Sequence, residues 1–264
     1  MLTLSEIYIY PVKSLGGISV DTAIAEERGL QYDRRYLLVD ENGLFLTQRD
    51  SPSLALLKLS FTENGFNVLN TKNSSHTIIP FESDSKKNVT ITIWDDVCNA
   101  VQVNQDLDNW FSNALDKKVS LVYMPDDEKR IVEKTYINED HIVSFADAYP
   151  FLIIGKSSLD DLNTRLVNPI PMNRFRPNLV FTGGNAYEED NWKDFKIGNA
   201  EFIAVKPCAR CVITTTDQKT AERSAEPLKT LSNYRKVNNK IMFGMNVVCN
   251  KTGVVSVNQT IELL

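Results

Sequence analysis

Short runs of β-branched and aromatic residues, separated by turn-forming pairs, constrain the fold of this chain more than any other feature. In the first half these runs cover residues 7–12, 18–25, 35–39, 54–61 and 89–94. Such lengths, with partial alternation of apolar and polar side chains, predict β-strands. Asn42-Gly43 and Asn64-Gly65 are typical of hairpin turns, so the first half is predicted to be built from hairpins.

The second half has more strand-like runs and most of the helical patterns. Strands are predicted at 151–154, 179–181, 202–205, 212–215, 245–249 and 253–257. Helices are predicted at 106–115, at 157–166 with Ser157 or Ser158 as its N-cap, and over a shorter stretch at 227–234. The pattern predicts a mainly β (α+β) fold, with two β-barrel-like units and a few covering helices.

Length, charge and cysteine content exclude several classes of protein. The 264 residues can form two modest domains, and the polar stretch 125–140 suggests a boundary that divides the chain into 1–124 and 125–264. A net charge of −5 argues against a nucleic-acid partner, although it allows a local basic pocket. No long apolar run and no secretory signal are present, so we expect a cytoplasmic protein with no membrane partner and free thiols.

One pair of cysteines could carry chemistry, in the segment Cys208-Ala209-Arg210-Cys211. A zinc site needs four ligands, and the remaining candidates are scattered. A thioredoxin-like pair would open a helix, whereas 212–215 is predicted to be a strand. Lys206 and Arg210 would stabilise a thiolate, which suits a soft or high-valent metal. Two buried core thiols are the simpler alternative. The scattered candidates for zinc are His76, His141, Cys98 and Cys249.

Cationic residues stand at the ends of predicted strands or beside prolines. Converging on one pocket, they would suit an anionic cofactor that carries a phosphate, whereas each alone could be an ordinary surface charge. Asn178, which follows Arg176-Pro177, could both donate to and accept from the edge of a heterocycle. The cationic set comprises Lys13, Arg34, Arg35, Arg49, Arg174 and Arg176.

Other common catalytic devices are missing from the sequence. It has no phosphate-binding glycine loop and no nucleophile elbow. With only two histidines, a His-dependent triad is improbable. The acidic clusters at 126–128 and 188–190 are predicted to be solvated loop charges, and Cys98 and Cys249 to be core thiols.

Four motifs in order resemble the MOSC family (molybdenum cofactor sulfurase C-terminal) with its N-terminal β-barrel partner domain. They are Tyr10-Pro11-Val12-Lys13-Ser14, Asp33-Arg34, Asn173-Arg174-Phe175-Arg176-Pro177-Asn178 and the segment 207–217 around the two cysteines. The resemblance covers nearly the whole chain, which would make 1–124 the N-terminal barrel domain and 125–264 the MOSC domain. Within the family, the chain is most similar to the amidoxime-reducing component and the bacterial reductases of N-hydroxylated bases.

The resemblance implies a site for the molybdenum cofactor, Mo-molybdopterin. It makes Cys211 the catalytic metal ligand and Cys208 a supporting neighbour. Asn246 stands where some relatives have an aromatic residue, which leaves its role open. The cofactor-binding residues implied by the resemblance are Lys13, Ser14, Arg34, Asp147, Arg176, Asn178, Ala209 and Arg210.

The predicted activity is a two-electron reduction that cleaves the nitrogen–oxygen bond of a small N-hydroxylated compound. The chain has no cysteine set for an iron–sulfur cluster, so its electrons are expected from a separate flavin, haem or iron–sulfur reductase. Two alternatives stay open: a sulfur carrier of the sulfurase type with a persulfide on Cys211, and a non-enzymatic carrier of the cofactor.

Overall fold

The computed structural model describes residues 1–264, and strands form most of its regular structure. The strands are β1 (Thr3–Ile9), β2 (Ile18–Val20), β3 (Thr22–Glu26), β4 (Gly29–Leu30), β5 (Tyr36–Val39), β6 (Leu57–Thr62), β7 (Gly65–Asn70), β8 (His76–Pro80), β9 (Asn88–Ile93), β10 (Asp96–Gln102), β11 (Ser120–Tyr123), β12 (Arg130–Ile131), β13 (Ile142–Val143), β14 (Phe151–Gly155), β15 (Leu179–Thr182), β16 (Asp194–Ile197), β17 (Ala200–Ala209), β18 (Lys236–Val237), β19 (Lys240–Lys251), β20 (Gly253–Ser256) and β21 (Ile261–Leu263).

Three α-helices and four short 3-10 turns complete the structure. The predicted helices are confirmed, with shifted ends, and no helix combines the length and apolar content needed to cross a bilayer. The mainly β fold class is also confirmed. The helices are α1 (Gln105–Leu115), α2 (Lys156–Thr164) and α3 (Leu228–Leu231), and the 3-10 turns are Pro52–Leu56, Met172–Arg174, Glu188–Asn191 and Val212–Thr215.

Two sheets and the helix α1 enclose the core of the N-terminal half. One sheet has the order β5-β11-β10-β9 and the other β6-β7-β8. The side chain of Asn104 caps α1 by accepting from the backbone N–H of Leu107 at 2.8 Å, and the buried face of the helix includes Leu107 and Phe111. Both predicted hairpin turns are confirmed. A hydrogen bond from the Gly43 N–H to the Asp40 carbonyl closes the first turn, and the pairing of β6 with β7 begins at Thr62 and Gly65, on either side of the second turn.

The largest sheet brings the N-terminal strands into the C-terminal half. Its nine strands include the path β2-β1-β15-β14-β19-β17-β16-β21, in which β1 pairs antiparallel with β15. Strand β3 pairs with β20, near the other end of the chain. Strands from both ends are therefore hydrogen-bonded across the predicted boundary at residue 125, which stays a prediction. Cys98 and Cys249 are buried in separate clusters, which confirms them as core thiols.

The predicted strand at 212–215 is wrong, because a 3-10 turn occupies these residues. The hydroxyls of Thr214 and Thr215 donate to the carbonyls of Cys211 and Val212 at 3.0 and 2.7 Å. These local bonds offer the backbone an alternative to a strand ladder and override the strand propensity of the β-branched side chains. The four-residue turn also differs from the helix that a thioredoxin-like pair would open.

The predicted capping of α2 and the predicted solvation of Glu189 are both wrong. Gly155 is the N-cap, and the Ser158 hydroxyl donates instead to the Glu189 carboxylate at 3.0 Å. That carboxylate is fully buried and also accepts from the Gly155 N–H at 3.1 Å. Burial raises the pKa of Glu189. An acidic side chain folded back onto the start of α2 therefore replaces the expected serine cap.

Replacing Glu189 with alanine should destabilise the fold, because the N–H of Gly155 and the hydroxyl of Ser158 would lose their buried acceptor. We expect the free energy of unfolding in urea to fall by about 1–3 kcal/mol. The matched control is Glu63→Ala, at an exposed hairpin position, which should change it by less than about 0.5 kcal/mol. Equal effects of the two substitutions would contradict this interpretation.

Candidate functional site

A cavity of about 400 Å³ lies where the two halves of the chain meet. Its volume falls within the range typical of small-molecule sites. The structure brings every residue of the predicted site into its wall, although these residues are spread over nearly 200 positions of sequence. Whether they bind a cofactor stays a prediction. The predicted residues in the wall are Lys13, Ser14, Arg34, Asp147, Arg176, Asn178, Ala209, Arg210 and Cys211.

Three residues of the predicted site have left-handed backbone conformations. The φ angles are 68° at Ser14, 50° at Arg34 and 55° at Arg176. Residues with a Cβ atom rarely adopt this region, and such strain is retained mainly where surrounding contacts enforce it, often at binding sites. Three such positions around one cavity indicate that the backbone is shaped for a ligand.

Arg34 is held rigidly by two buried partners. Its Nη1 donates to Asp33 Oδ2 at 2.5 Å and to Asn178 Oδ1 at 3.1 Å. Asn178 Nδ2 donates to Asp33 Oδ1 at 3.0 Å and to the Tyr8 carbonyl at 3.2 Å, and its Oδ1 also accepts from the Leu152 N–H at 3.3 Å. The side-chain amide of Asn178 is therefore fully used within the protein, and its contribution is to orient Arg34 rather than to offer a free polar atom.

Arg176 is a buried cation of the wall. Its Nη1 donates to the Leu15 carbonyl at 2.6 Å, and its guanidinium lies 4.3 Å from the centroid of the Tyr10 ring. The Arg34 guanidinium lies 4.6 Å from the same ring centroid. Burial lowers the pKa of Arg176 to about 10, so this side chain is still charged at neutral pH.

Lys13, Asp147 and Arg49 form a linear network beside the cavity. Asp147 accepts from Lys13 Nζ at 2.6 Å through one oxygen and from Arg49 Nη2 at 2.8 Å through the other. Burial would raise the pKa of Asp147, but the two cations hold it well below its usual range. Burial also lowers the pKa of Lys13 to about 8, which places its titration close to neutral pH.

The two neighbouring thiols have different surroundings. Cys211 precedes the 3-10 turn and is half-buried. It lies close to Arg49. Burial alone would lower the pKa of Arg49, but Asp147 and Cys211 raise it. Cys208 lies on β17, and its Sγ accepts from Arg210 Nη1 at 3.0 Å. Both cysteines are free thiols. The structure therefore distinguishes the two members of the pair by their cationic neighbours.

Contacts within the C-terminal half and between the two halves anchor the segment around Cys211. Arg174 Nε donates to the Thr214 carbonyl at 2.8 Å. The side-chain amides of Gln48 and Gln218 form two hydrogen bonds: Gln48 Nε2 donates to Gln218 Oε1 at 3.2 Å, and Gln218 Nε2 donates to Gln48 Oε1 at 2.9 Å. Gln48 Nε2 also donates to the Ser14 carbonyl at 2.6 Å. The same buried amide pair therefore supports the strained Ser14 and the loop that follows Cys211.

Two arginines of the predicted cationic set lie outside the cavity wall. Arg174 is turned towards the backbone of the cysteine segment, as described above. Arg35 Nη2 donates to the Met124 carbonyl and to Asp126, both at 2.6 Å. The prediction that these two arginines line the pocket is wrong, because their guanidinium groups satisfy backbone carbonyls elsewhere.

The wall also contains residues that were not among the predicted site residues. Arg49 had a sequence signal, since it stands among cations that follow strand-like runs. Trp94, Lys206, Tyr149 and Asn246 also line the cavity. Trp94 gave no signal in the sequence, because its place at the cavity depends on how a distant hairpin packs.

Unpaired donors show what kind of ligand the cavity fits. Arg49 Nη1, Arg176 Nη2 and Arg210 Nε are buried and have no hydrogen-bond partner within the protein. Buried donors without acceptors are costly, and an anionic ligand would satisfy all three. No group of three or more histidine, cysteine or acidic side chains is placed to hold a metal. A metal bound by Cys211 would thus need its other ligands from a bound molecule, as an anionic metal-carrying cofactor provides.

Comparison with known proteins shows the family of the chain. The model of the MOSC N-terminal beta barrel domain matches residues 1–118, and that of the MOSC domain matches residues 140–262. Mitochondrial amidoxime reducing component 2 from Bos taurus is 32% identical, over 88% of this chain and 72% of that protein. The protein of the same name from Rattus norvegicus is 30% identical, over 98% of this chain and 82% of that protein.

Molybdenum cofactor sulfurase from Oryza sativa subsp. japonica is 32% identical over 92% of this chain, which spans 32% of that protein. A cationic cavity with two thiols in its wall, on a fold of two matched domains, defines a MOSC-type protein of mainly β structure. The chain belongs to the MOSC family, which confirms the predicted resemblance. The names of its relatives associate this family with the molybdenum cofactor and with amidoxime reduction.

The titration of Lys13 should control anion binding to the cofactor-free protein. Because burial lowers the pKa of Lys13 to about 8, its Nζ loses charge as the pH rises through that value. We expect sulfate affinity, measured by calorimetry, to fall between about pH 7 and pH 9, since sulfate keeps its own charge over this range.

The matched variant is Lys13→Arg, whose guanidinium stays charged and should flatten the profile. Both proteins should carry Cys208→Ser and Cys211→Ser, so that no cavity thiol can titrate. An equal decline in sulfate affinity with and without Lys13 would show that another group is responsible.

Proposed function

We propose that this chain is a molybdenum-cofactor-dependent reductase of N-hydroxylated compounds, such as amidoximes and hydroxylaminopurines. The observation that carries the proposal is the placement of Cys211 in a cavity wall that holds three unpaired buried guanidinium nitrogens. Amidoxime reducing components that are about 30% identical over most of the chain support the same class of reaction.

Different cations would bind different parts of the cofactor. Arg176 and Arg210 each have one unpaired nitrogen for a phosphate or a pterin edge, and Arg34 is oriented towards the same cavity by Asp33 and Asn178. Lys13 adds a buried positive charge. Ser14 and Ala209 line the cavity with little bulk, which leaves room for a planar ligand.

Cys211 would supply the protein's ligand to the metal through its sulfur. When bound, the cofactor provides the two-electron chemistry that breaks a nitrogen–oxygen bond. Arg49 lies beside Cys211 and places a positive charge next to its sulfur. Lys13 Nζ holds a proton at neutral pH, so this group can supply a proton at the edge of the site, where the Asp147 carboxylate accepts its hydrogen bond.

We further propose that a separate protein, namely a flavin, haem or iron–sulfur reductase, supplies the electrons. The substrate would be a small molecule that enters the cavity from solvent, in a protein of the cytoplasm that needs no membrane or nucleic acid. The electron donor and the substrate rest on the predicted site and on the relatives that are named as amidoxime reducing components. The location rests on the sequence pattern alone.

A sulfur-carrier role is the second candidate, because molybdenum cofactor sulfurases are as similar to this chain as the reducing components are. In that case Cys211 would carry a persulfide. The test is to purify the protein from a host that makes the cofactor and to quantify molybdenum, pterin and persulfide. Reduction of benzamidoxime with an artificial donor is then assayed.

Bound molybdenum with turnover supports the reductase. Molybdenum without turnover favours a carrier of the cofactor, and a persulfide on Cys211 without molybdenum contradicts the proposal.

The two cysteines should respond differently to substitution. Cys211→Ser is expected to abolish benzamidoxime reduction, because it removes the proposed metal ligand. The matched variant Cys208→Ser should keep at least about a tenth of the activity, since loss of one hydrogen bond to Arg210 costs about 0.5–1.5 kcal/mol. Equal and complete losses in the two variants would instead indicate a dithiol mechanism.

A further inference from the structure

The hairpin turn between β9 and β10 does not require a tryptophan at position 94. Ile93 pairs with Asp96, which leaves Trp94 and Asp95 as the two-residue loop between β9 and β10. The φ angle of Trp94 is 54°, in the left-handed region. A two-residue hairpin with positive φ at its first loop position favours glycine there, and a bulky aromatic residue is a strained choice.

The packing of Trp94 does not account for this strain. Its side chain is 47% exposed, and its aromatic contact is with Phe45, edge to face, at a centroid distance of 5.1 Å. Strain at an exposed aromatic residue points to a role outside the fold, because the hydrophobic gain from a half-exposed ring is small.

The location of Trp94 indicates what that role is. Its ring lines the cavity, and the Arg49 guanidinium lies 4.5 Å from the ring centroid. Arg49 in turn contacts Asp147 at 2.8 Å and lies close to Cys211. One side chain therefore separates the indole from the proposed reactive sulfur.

Charge is distributed unevenly around the cavity. Arg34 and Arg176 have little exposure, whereas Trp94 is half-exposed and offers a largely apolar surface to solvent. A phosphate belongs with the buried arginines. A planar ring that arrives from solvent meets the indole, which offers stacking with a preferred geometry.

We propose that Trp94 is the platform on which the planar ring of the substrate stacks, so that this site selects aromatic and heteroaromatic N-hydroxylated compounds over aliphatic ones. The inference rests on the proposed function and extends it from a reaction class to a substrate class.

Binding can be measured without turnover. Benzamidoxime, added without an electron donor, should quench tryptophan fluorescence in the wild-type protein and in Trp110→Phe, whose residue lies on α1 away from the cavity. The quench should disappear in Trp94→Phe. A quench that persists in Trp94→Phe would overturn the proposal.

Selectivity is the kinetic test. With acetamidoxime as the ring-free counterpart, Trp94→Ala should raise the KM for benzamidoxime about 3- to 10-fold more than the KM for acetamidoxime, as expected for a lost aromatic contact. Equal changes for both substrates would overturn the proposal. Loss of bound pterin from Trp94→Ala would overturn it too, because Trp94 would then hold the cofactor.

A glycine variant separates binding from folding. Trp94→Gly relieves the turn, so its thermal midpoint should stay within about 4 °C of wild type while the benzamidoxime selectivity is lost. A larger fall would assign Trp94 to the fold and overturn the proposal. If the wild-type protein quenches with benzamidoxime but reduces neither substrate, the proposed reduction fails while the platform stands. If the wild-type protein reduces the substrates and Trp94→Ala leaves the selectivity unchanged, the platform fails while the proposed reduction stands.

Discussion

The burial of several cations around one cavity is the constraint on which the rest of this structure depends. Arg34, Arg176 and Lys13 are removed from most of the solvent, and burial lowers the pKa of Arg176 and of Lys13. Buried charges persist only where hydrogen bonds and counter-charges hold them. Asp33 and Asp147 provide those counter-charges, and the unpaired guanidinium nitrogens remain available for a ligand.

The burial of these cations depends on how the two halves of the chain are joined. Lys13, Arg34 and Arg49 come from the N-terminal half, while Arg176 and Cys211 come from the C-terminal half, so the site exists only where the halves are packed together. Pairing of β1 with β15 and of β3 with β20 joins the two halves through backbone hydrogen bonds. Most residues of the site lie on turns and loops at the ends of these strands, so the pairing of the sheets decides where those turns and loops meet.

The cysteine segment shows how far local pattern could be trusted. A strand was expected after Cys211, and the β-branched composition of 212–215 favours one. Hydroxyl bonds of Thr214 and Thr215 to nearby carbonyls turn the segment into a 3-10 turn. Glu189 was missed for a related reason: its burial depends on the start of α2, which lies more than 30 residues away in sequence.

The sequence by itself determined the mainly β class, the helices and the family resemblance, because propensity, turn chemistry and short motifs are local properties. It also predicted nine residues that the structure places in one cavity wall. Only the tertiary structure decided which cations line the cavity. Arg174 and Arg35 bond to backbone carbonyls, whereas Arg49 and Trp94 reach the site. It also turned Asn178 from a candidate ligand contact into the support of Arg34, because hydrogen-bond partners distant in sequence are set only when the strands pack.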